Sequence, residues 1–459
     1  MDKTVFNLIK KYDVSGPRYT SYPPAPIFTP DFTREDFAEA MFQTENRPGS
    51  PDLSLYVHFP FCDTLCYFCG CTTIVTRNRE HLAEYLPYLK KEIDLLAPAL
   101  SPERRVVQMH WGGGTPTYFS PEQIENIGGY IRQAFKFAGD AEVSVEVDPR
   151  EITRDHLRAL RNVGFNRISL GVQDFNPIVQ KAVNRTQSEM VTRDAIAWSR
   201  ELGFESLNVD LIYGLPSQTV ESFSETLDKI IEIAPERIAV YNFAYVPWIK
   251  KHQTLIHTED LPSPDTKIGM LTTTIAKLTA AGYVYIGMDH FARPDDELAM
   301  AQRTKKLHRN FQGYSTKAGT DMYGLGMSSI SHFGTAYAQN EKTLREYYHA
   351  VEVGRFATHV GYRMTPDDIL RKRVILRLMC DLSLNKREVE DAFGVKFDEY
   401  FADAMVKLMP LVDDQLITVS QNDLVVTPQG RLFLRNIAMC FDAYLSDKPK
   451  QQPLYSKTV

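Results

Sequence analysis

The sequence predicts an α/β fold: an open, partial (β/α)6 barrel with an N-terminal arm and a mainly helical C-terminal domain. Three observations predict it. Six short apolar or β-branched runs recur at 53–59 (LSLYVHF), 106–111 (VVQMHW), 141–147 (AEVSVEV), 166–172 (NRISLGV), 205–214 (ESLNVDLIYG) and 236–243 (ERIAVYNF). Between them, residues 79–97, 121–137, 152–163, 189–202 and 219–233 carry apolar positions at helical spacing. Strands that alternate with helices build a parallel sheet, and six such units fall short of the eight that close a barrel. After residue 365 the alternation gives way to helices and one small hairpin.

In chain order, residues 1 to about 35 hold Pro17, Pro23, Pro24 and Pro26, which suit an extended arm more than a helix. The catalytic region is expected over 36–364. Within it, Ser120-Pro121-Glu122 reads as an N-cap, an N1 proline and an acidic first turn. Residues 365–459 are expected to form a lid or packing domain, with a hairpin at 417–427 turning at Asn422-Asp423. Helices with a hairpin also suit a DNA-binding winged helix. Charge opposes that reading, since residues 365–445 hold 10 Lys and Arg against 13 Asp and Glu, a net −3.

The 459 residues are 43% hydrophobic and 24% charged, the composition of a folded globular chain. A net charge of −6 and a pI near 6.0 argue against broad attraction to nucleic acid or anionic membrane. The start, MDKTVFNLIKKYDVSG, has no long apolar core, and no stretch is apolar enough to span a bilayer. A cytoplasmic monomer with no nucleic-acid partner and no membrane span is expected.

Four of the six cysteines, Cys62, Cys66, Cys69 and Cys71, fall within FCDTLCYFCGC. In a reducing compartment such density favours metal or redox work over structural disulfides. Structural zinc usually takes two cysteine pairs on separate turns, and a thioredoxin-like pair leaves two thiols unexplained. An iron–sulfur cluster accounts for them better, because thiolates are soft ligands for iron and one loop can wrap a cubane. Four ligands would saturate a [4Fe–4S] cluster, whereas three leave one iron open to a substrate or cofactor. Cys380 and Cys440, in apolar runs, read as ordinary buried thiols.

Active sites of such barrels lie at the C-terminal ends of the strands. Directly after VVQMHW comes GGGTPT (112–117), where three glycines let backbone amides approach a ligand. Glu146, Gln173 and Asp210 lie at or near the ends of three further strands. A glycine loop, a cysteine loop and three polar side chains on one edge are expected to converge on ligands.

The spacing Cys62-x3-Cys66-x2-Cys69, with Phe68 before the third cysteine, resembles the radical S-adenosylmethionine (SAM) superfamily. The resemblance implies that Cys62, Cys66 and Cys69 hold a [4Fe–4S] cluster whose fourth iron binds SAM, leaving Cys71 a non-ligand. Longer matches resemble the oxygen-independent coproporphyrinogen III oxidase family: SGPRYTSYPP (15–24), YVHFPFC (56–62), CYFCGC (66–71), HWGGGTPTY (110–118), EVDPRE (146–151), GFNRISLGVQDF (164–175), DLIYGLP (210–216), GMDHFARPDDEL (287–298) and HRNFQGYST (308–316). That family resemblance implies oxidative decarboxylation of two propionates of coproporphyrinogen III in heme biosynthesis, by hydrogen abstraction with a 5′-deoxyadenosyl radical and two SAM per turnover. By residue, it implies Tyr56, Gly113, Glu146 and Ile330 around a first SAM. A second would meet Phe68, Gly114, Thr115, Gln173, Arg185, Asp210 and Ala244. A small electron-donor protein or reductant is the implied redox partner.

A tetrapyrrole with four propionates needs apolar walls and cations. Arg293, His308 and Arg309 are the candidates to approach a propionate, beside Arg303 and Gln312. Two other readings share the barrel: a heme chaperone without this activity, and a different radical SAM reaction on tetrapyrroles. Chaperones of that kind resemble a CxxxCxYCxF loop without the RYTSYP arm. Phe68, Gly70-Cys71 and Arg18 to Pro23 depart from that pattern and favour the oxidase.

Overall fold

The computed structural model describes residues 3–445 and 455–458, and of Lys3 to Val5 only the backbone. Its centre is a 12-stranded sheet. Six consecutive parallel strands carry the expected alternation: β1 (Leu53–Phe59), β2 (Val106–Gly113), β3 (Phe137–Val147), β4 (Arg167–Gln173), β5 (Ser206–Tyr213) and β6 (Arg237–Asn242). Helices Arg79–Leu96, Pro121–Ala134, Arg154–Asn162, Glu189–Glu201 and Val220–Ile233 lie between them. Side chains of Asn78, Ser120, Thr153, Ser188 and Thr219 cap their N-termini, satisfying amides that no earlier carbonyl can reach.

The strands' period of two divides their side chains between two environments. On β1, Leu55, Val57 and Phe59 are buried against the helices, as are Met109 and Trp111 of β2, Val143 and Val145 of β3, and Leu170 of β4. The alternate residues form a polar face bonded from strand to strand. Ser54 donates to Gln108 (3.0 Å), and Gln108 donates to Glu142 (2.9 Å). Likewise Asn208 donates to Ser169 (2.8 Å), and Ser169 to Asp210 (2.9 Å). Such a face is stable only when every group finds a partner.

The sheet extends past the six expected strands on both sides. Asp321–Leu325 adds a parallel strand beside β1, followed by the antiparallel strands Ile330–Phe333, Ala336–Asn340 and Thr358–Arg363. Beyond β6 lie His290–Ala292 and Val284–Gly287. These strands have only three to six residues, too few for a period to stand out. At the N-terminal edge, Arg104 bridges Glu45 and Asp321, its side chain 3% exposed. That ion triad joins helix Arg34–Glu45 to the added strand.

The arm departs from its expected extended form at its start, because Lys3–Tyr12 is a helix. The prolines begin at residue 17, so none interrupts it. Leu8 and Ile9 are buried in the C-terminal core, and Tyr12 donates to Asp414 (2.6 Å). The following stretch is held by Arg435, which donates to the carbonyls of Gly16, Pro17 (3.1 Å) and Lys457 (2.6 Å). In the C-terminal region the hairpin is present as Ile417–Val419 and Asp423–Val426. Asp423 stands on the second strand, not in the turn, and Ser383–Asn385 completes a three-stranded sheet.

One half-buried lysine gives a stability test. Lys372, on helix Pro366–Asp381, has its amine 2.7 Å from His332 Nε2. Burial lowers its pKa from 10.5 to about 7. Between those values the unfolded chain binds more protons than the folded one, so this residue makes stability rise with pH through that window. Lys372→Met is expected to be more stable than wild type by about 2 kcal/mol near neutral pH, an advantage lost by about pH 10. Denaturant midpoints at both ends of the window would measure it; a difference independent of pH would refute the neutral-amine assignment.

Candidate active site

The strand ends of β2 to β6 and the cysteine loop enclose a cavity of about 470 Å³. Its wall includes Cys62, Cys66, Phe68, Cys69, Gly113, Gly114, Thr115, Glu146, Gln173, Arg185, Asp210 and Ala244. The cavity therefore brings together twelve of the residues singled out in the sequence.

The cysteine loop follows β1 through Phe61 and Cys62, which pair in parallel with Ile74 and Val75. Its carbonyls are held by side chains from distant segments. His252 Nε2 donates to Cys69 O (2.8 Å), Lys250 to Cys71 O (2.8 Å) and Gln253 to Phe68 O (3.2 Å). His58 Nε2 lies 3.0 Å from Thr72 O and its Nδ1 3.1 Å from Tyr56 Oη. Since a carbonyl only accepts, Nε2 carries the proton and Nδ1 accepts from Tyr56. Burial lowers the His58 pKa, keeping the ring neutral.

Cys66 is 8% exposed. Its sulfur lies 3.5 Å from Arg185 Nη1 and 3.8 Å from Arg150 Nη2. Asp148 accepts from both arginines, at 2.9 Å from Arg185 and 2.7 Å from Arg150. Burial works against ionised Asp148, but the guanidiniums outweigh it and lower its pKa. Burial raises the Cys62 thiol to about 12, whereas hydrogen bonding with Cys71 brings Cys69 down to about 6. Cys71 also faces the cavity. Four thiols thus stand on its wall.

The glycine loop fits against this wall with no room for side chains. Gly114 N donates to Phe59 O (2.7 Å), and a Cβ there would come within 2.7 Å of Phe61 O. Gly113 has φ +112°, and its amide donates to Glu146 (3.1 Å). Burial opposes the charge on Glu146, but His110 and the Gly113 amide more than compensate, so its pKa falls. Asp210 behaves oppositely. Burial, reinforced by Glu146, raises it to about 6 despite donation from Ser169. The two carboxylates therefore differ in proton affinity within one cavity.

Tyr56 and Ile330 do not line this cavity among the described residues. Tyr56 stacks on His110, with ring centroids 6.0 Å apart. Ile330 belongs to the second added strand and packs beside Phe28 and Tyr337. Two substrate candidates lie toward the other edge of the sheet. Arg293 donates to Ala234 O (2.6 Å), before the start of β6. His308 borders a separate hollow with Pro51 and Asp52, before the start of β1. Burial lowers the His308 pKa to about 4. Arg309 alone of the three turns inward, its Nε 3.3 Å from the carbonyl of Arg18. Asp148, Tyr241, Lys250, His252 and Gln253 were not singled out in the sequence. Asp148, two residues after Glu146 in EVDPRE, and Tyr241, near the end of ERIAVYNF, shared the strand-end signal, but Lys250, His252 and Gln253 had none.

Residues 56–230 match the Radical SAM superfamily, and residues 364–433 the HemN C-terminal domain. A protein of Escherichia coli (strain K12) named oxygen-independent coproporphyrinogen III oxidase is 50% identical over 445 residues, covering 97% of this chain and 96% of that protein. A Synechocystis protein of the same name is 46% identical over 456 residues, covering 98% and 97%. The structure titled "Coproporphyrinogen III oxidase (HemN) from Escherichia coli is a Radical SAM enzyme" superposes with a TM-score of 0.91 at 49% identity, over 96% of this chain and 99% of that one. With nearly full-length identity and the same architecture, this chain belongs to the oxygen-independent coproporphyrinogen III oxidase family of the radical SAM superfamily.

Proposed function

We propose that the protein converts two propionate side chains of coproporphyrinogen III to vinyl groups without oxygen, giving protoporphyrinogen IX in heme biosynthesis. The observation that carries this reading is the single cavity where three cysteines of the superfamily spacing meet Glu146 and Asp210, in a chain of this family. Membership implies a [4Fe–4S] cluster and SAM. The site suits both: soft thiols for iron, and a glycine loop seated so close to Glu146 and the Phe59–Phe61 backbone that no Cβ would fit, which leaves the space in front of it to a ligand. When bound, the two supply reductive cleavage of a carbon–sulfur bond, and hence a 5′-deoxyadenosyl radical able to take a hydrogen atom from carbon.

Cys62, Cys66 and Cys69 are the proposed cluster ligands, with Cys71 left outside the ligand set. The carboxylates of Glu146 and Asp210 accept hydrogen bonds from amino or ribose groups, and Phe68 and Ala244 offer apolar surface to adenine. Gly114, Thr115, Gln173 and Arg185 complete a second SAM position, while Tyr56, Gly113 and Ile330 stand with Glu146 around the first. Arg185 also braces Asp148 and Cys66, so it serves the cluster loop as well. A propionate β-C–H is far too weak an acid for any of these side chains to deprotonate. Their task is to position ligands and exclude water. Each propionate loses one hydrogen atom to a 5′-deoxyadenosyl radical, one electron to an external one-electron acceptor, and CO2, so two SAM serve two vinyl groups.

Residues 1–35 are proposed as an arm, 36–364 as the catalytic region and 365–459 as a C-terminal lid domain. We place the enzyme in the cytoplasm as a monomer served by a small reductant. Among the described residues no helix is long and apolar enough to cross a membrane. The test is anaerobic turnover of coproporphyrinogen III deuterated at the propionate β-carbons. Deuterium is expected in 5′-deoxyadenosine, with one SAM consumed per vinyl group. Divinyl product without that label would refute hydrogen abstraction, and absence of product would favour a chaperone.

A further inference from the structure

Behind Tyr241 lies a second cationic recess. Tyr241 and Asn242 line the main cavity, and Asn242 also lines a small adjoining hollow with Arg18, Tyr213 and Asp289. The Arg18 guanidinium sits 5.6 Å from the centre of the Tyr241 ring. Its side chain keeps 31% of its surface open, while its salt-bridge partner Asp289 keeps 11%. Arg309 meets Arg18 from strand His308–Asn310, with its Nε on Arg18 O and its guanidinium 4.7 Å from the Tyr314 ring centre.

Arg18 takes the one carboxylate, Asp289, and Arg309 has no ion pair among the described residues. Arg309 is 3% exposed, yet its Nη1 has no partner among the described residues. His290 closes the recess with its ring 6.0 Å from Tyr241 and 5.3 Å from Tyr314, and its buried Nδ1 is likewise unpartnered. Burial, then Arg309 and Arg18, hold the His290 pKa well below its ordinary value, so the ring is neutral. A buried guanidinium N–H without an acceptor costs free energy that a ligand carboxylate would recover. Guanidinium forks match carboxylates in geometry as well as charge.

We infer that Arg18 and Arg309 form a carboxylate-binding recess that holds a propionate of the tetrapyrrole, on the far side of Tyr241 from Glu146 and Asp210. This rests on the proposed function and names where that substrate is gripped. Tyr241 then separates carboxylates on the cofactor side from arginines on the substrate side. The arm contributes Arg18 directly, so its docking completes the site.

The test uses full-length, anaerobically reconstituted enzyme and two probes that do not react: coproporphyrin III, the oxidised tetracarboxylate ring, and etioporphyrin, an alkylated ring without carboxylates. Arg18→Gln and Arg309→Gln are each expected to weaken coproporphyrin III binding by about 10- to 100-fold. Etioporphyrin affinity, cluster content and SAM binding should stay unchanged, and Arg18→Lys should recover part of the loss. Unchanged coproporphyrin III affinity in these variants, or equal weakening of both probes, would overturn the recess. If Arg309→Gln does not fold, Arg18→Gln decides alone, because Arg18 is partly open and pairs with a single carboxylate. Wild-type enzyme that neither binds coproporphyrin III nor turns over coproporphyrinogen III would instead sink the proposed function itself.

Discussion

Anaerobically reconstituted Cys66→Ser protein is expected to lose its [4Fe–4S] cluster and with it all measurable turnover, while Cys71→Ser keeps the cluster. The serine oxygen is a hard, weakly acidic donor where iron needs a soft thiolate. Cys66 is also the cysteine whose sulfur touches both Arg150 and Arg185, so its replacement disturbs the side chains that brace the loop. Losing even the surroundings of a ligand weakens metal binding by about 10- to 100-fold, and losing the ligand itself is expected to exceed that. Iron, sulfide and the visible spectrum of the Ser variants measure it directly. Near-complete cluster retention in Cys66→Ser, or its loss only in Cys71→Ser, would reverse the ligand assignment.

Gly113→Ala is expected to lower stability by about 4 kcal/mol and to abolish turnover. Its φ of +112° strains any residue with a Cβ, and that Cβ would collide with the His58 ring. His58 cannot simply move away, because it bonds Thr72 of the cysteine loop and Tyr56. The backbone shift would also carry the Gly113 amide away from Glu146. Circular dichroism during denaturation reads the stability loss. SAM binding to reconstituted protein reads the second effect, and an alanine variant with wild-type stability and affinity would show that the close approach is unimportant.

The six parallel strands were legible because each has enough residues for its apolar side to show and each is followed by a helix with its own period. The cysteine loop and glycine turn were legible as short motifs at strand ends. Asp321–Leu325 was not, although it pairs directly with β1, because all five of its residues are buried and leave no alternation. Helix Lys3–Tyr12 was obscured by averaging it with the prolines downstream.

The substrate candidates mark the limit more sharply. Arg293, His308 and Arg309 looked equivalent along the chain, yet only Arg309 turns inward, onto the Arg18 carbonyl. His308 and Arg309 are neighbours on one short strand, and the alternation of side chains along a strand sends them to opposite faces. Conversely, Arg18 and Arg309 are 291 residues apart and meet through a bond between Arg309 and the Arg18 carbonyl. The alternation of strands and helices, the edge of the sheet where chemistry gathers and the soft ligands available there could be read along the chain, since these depend on local periodicity and residue type. Which charges face the same space could not, because burial and distance set their pairing, and both arise from contacts between segments far apart in the chain.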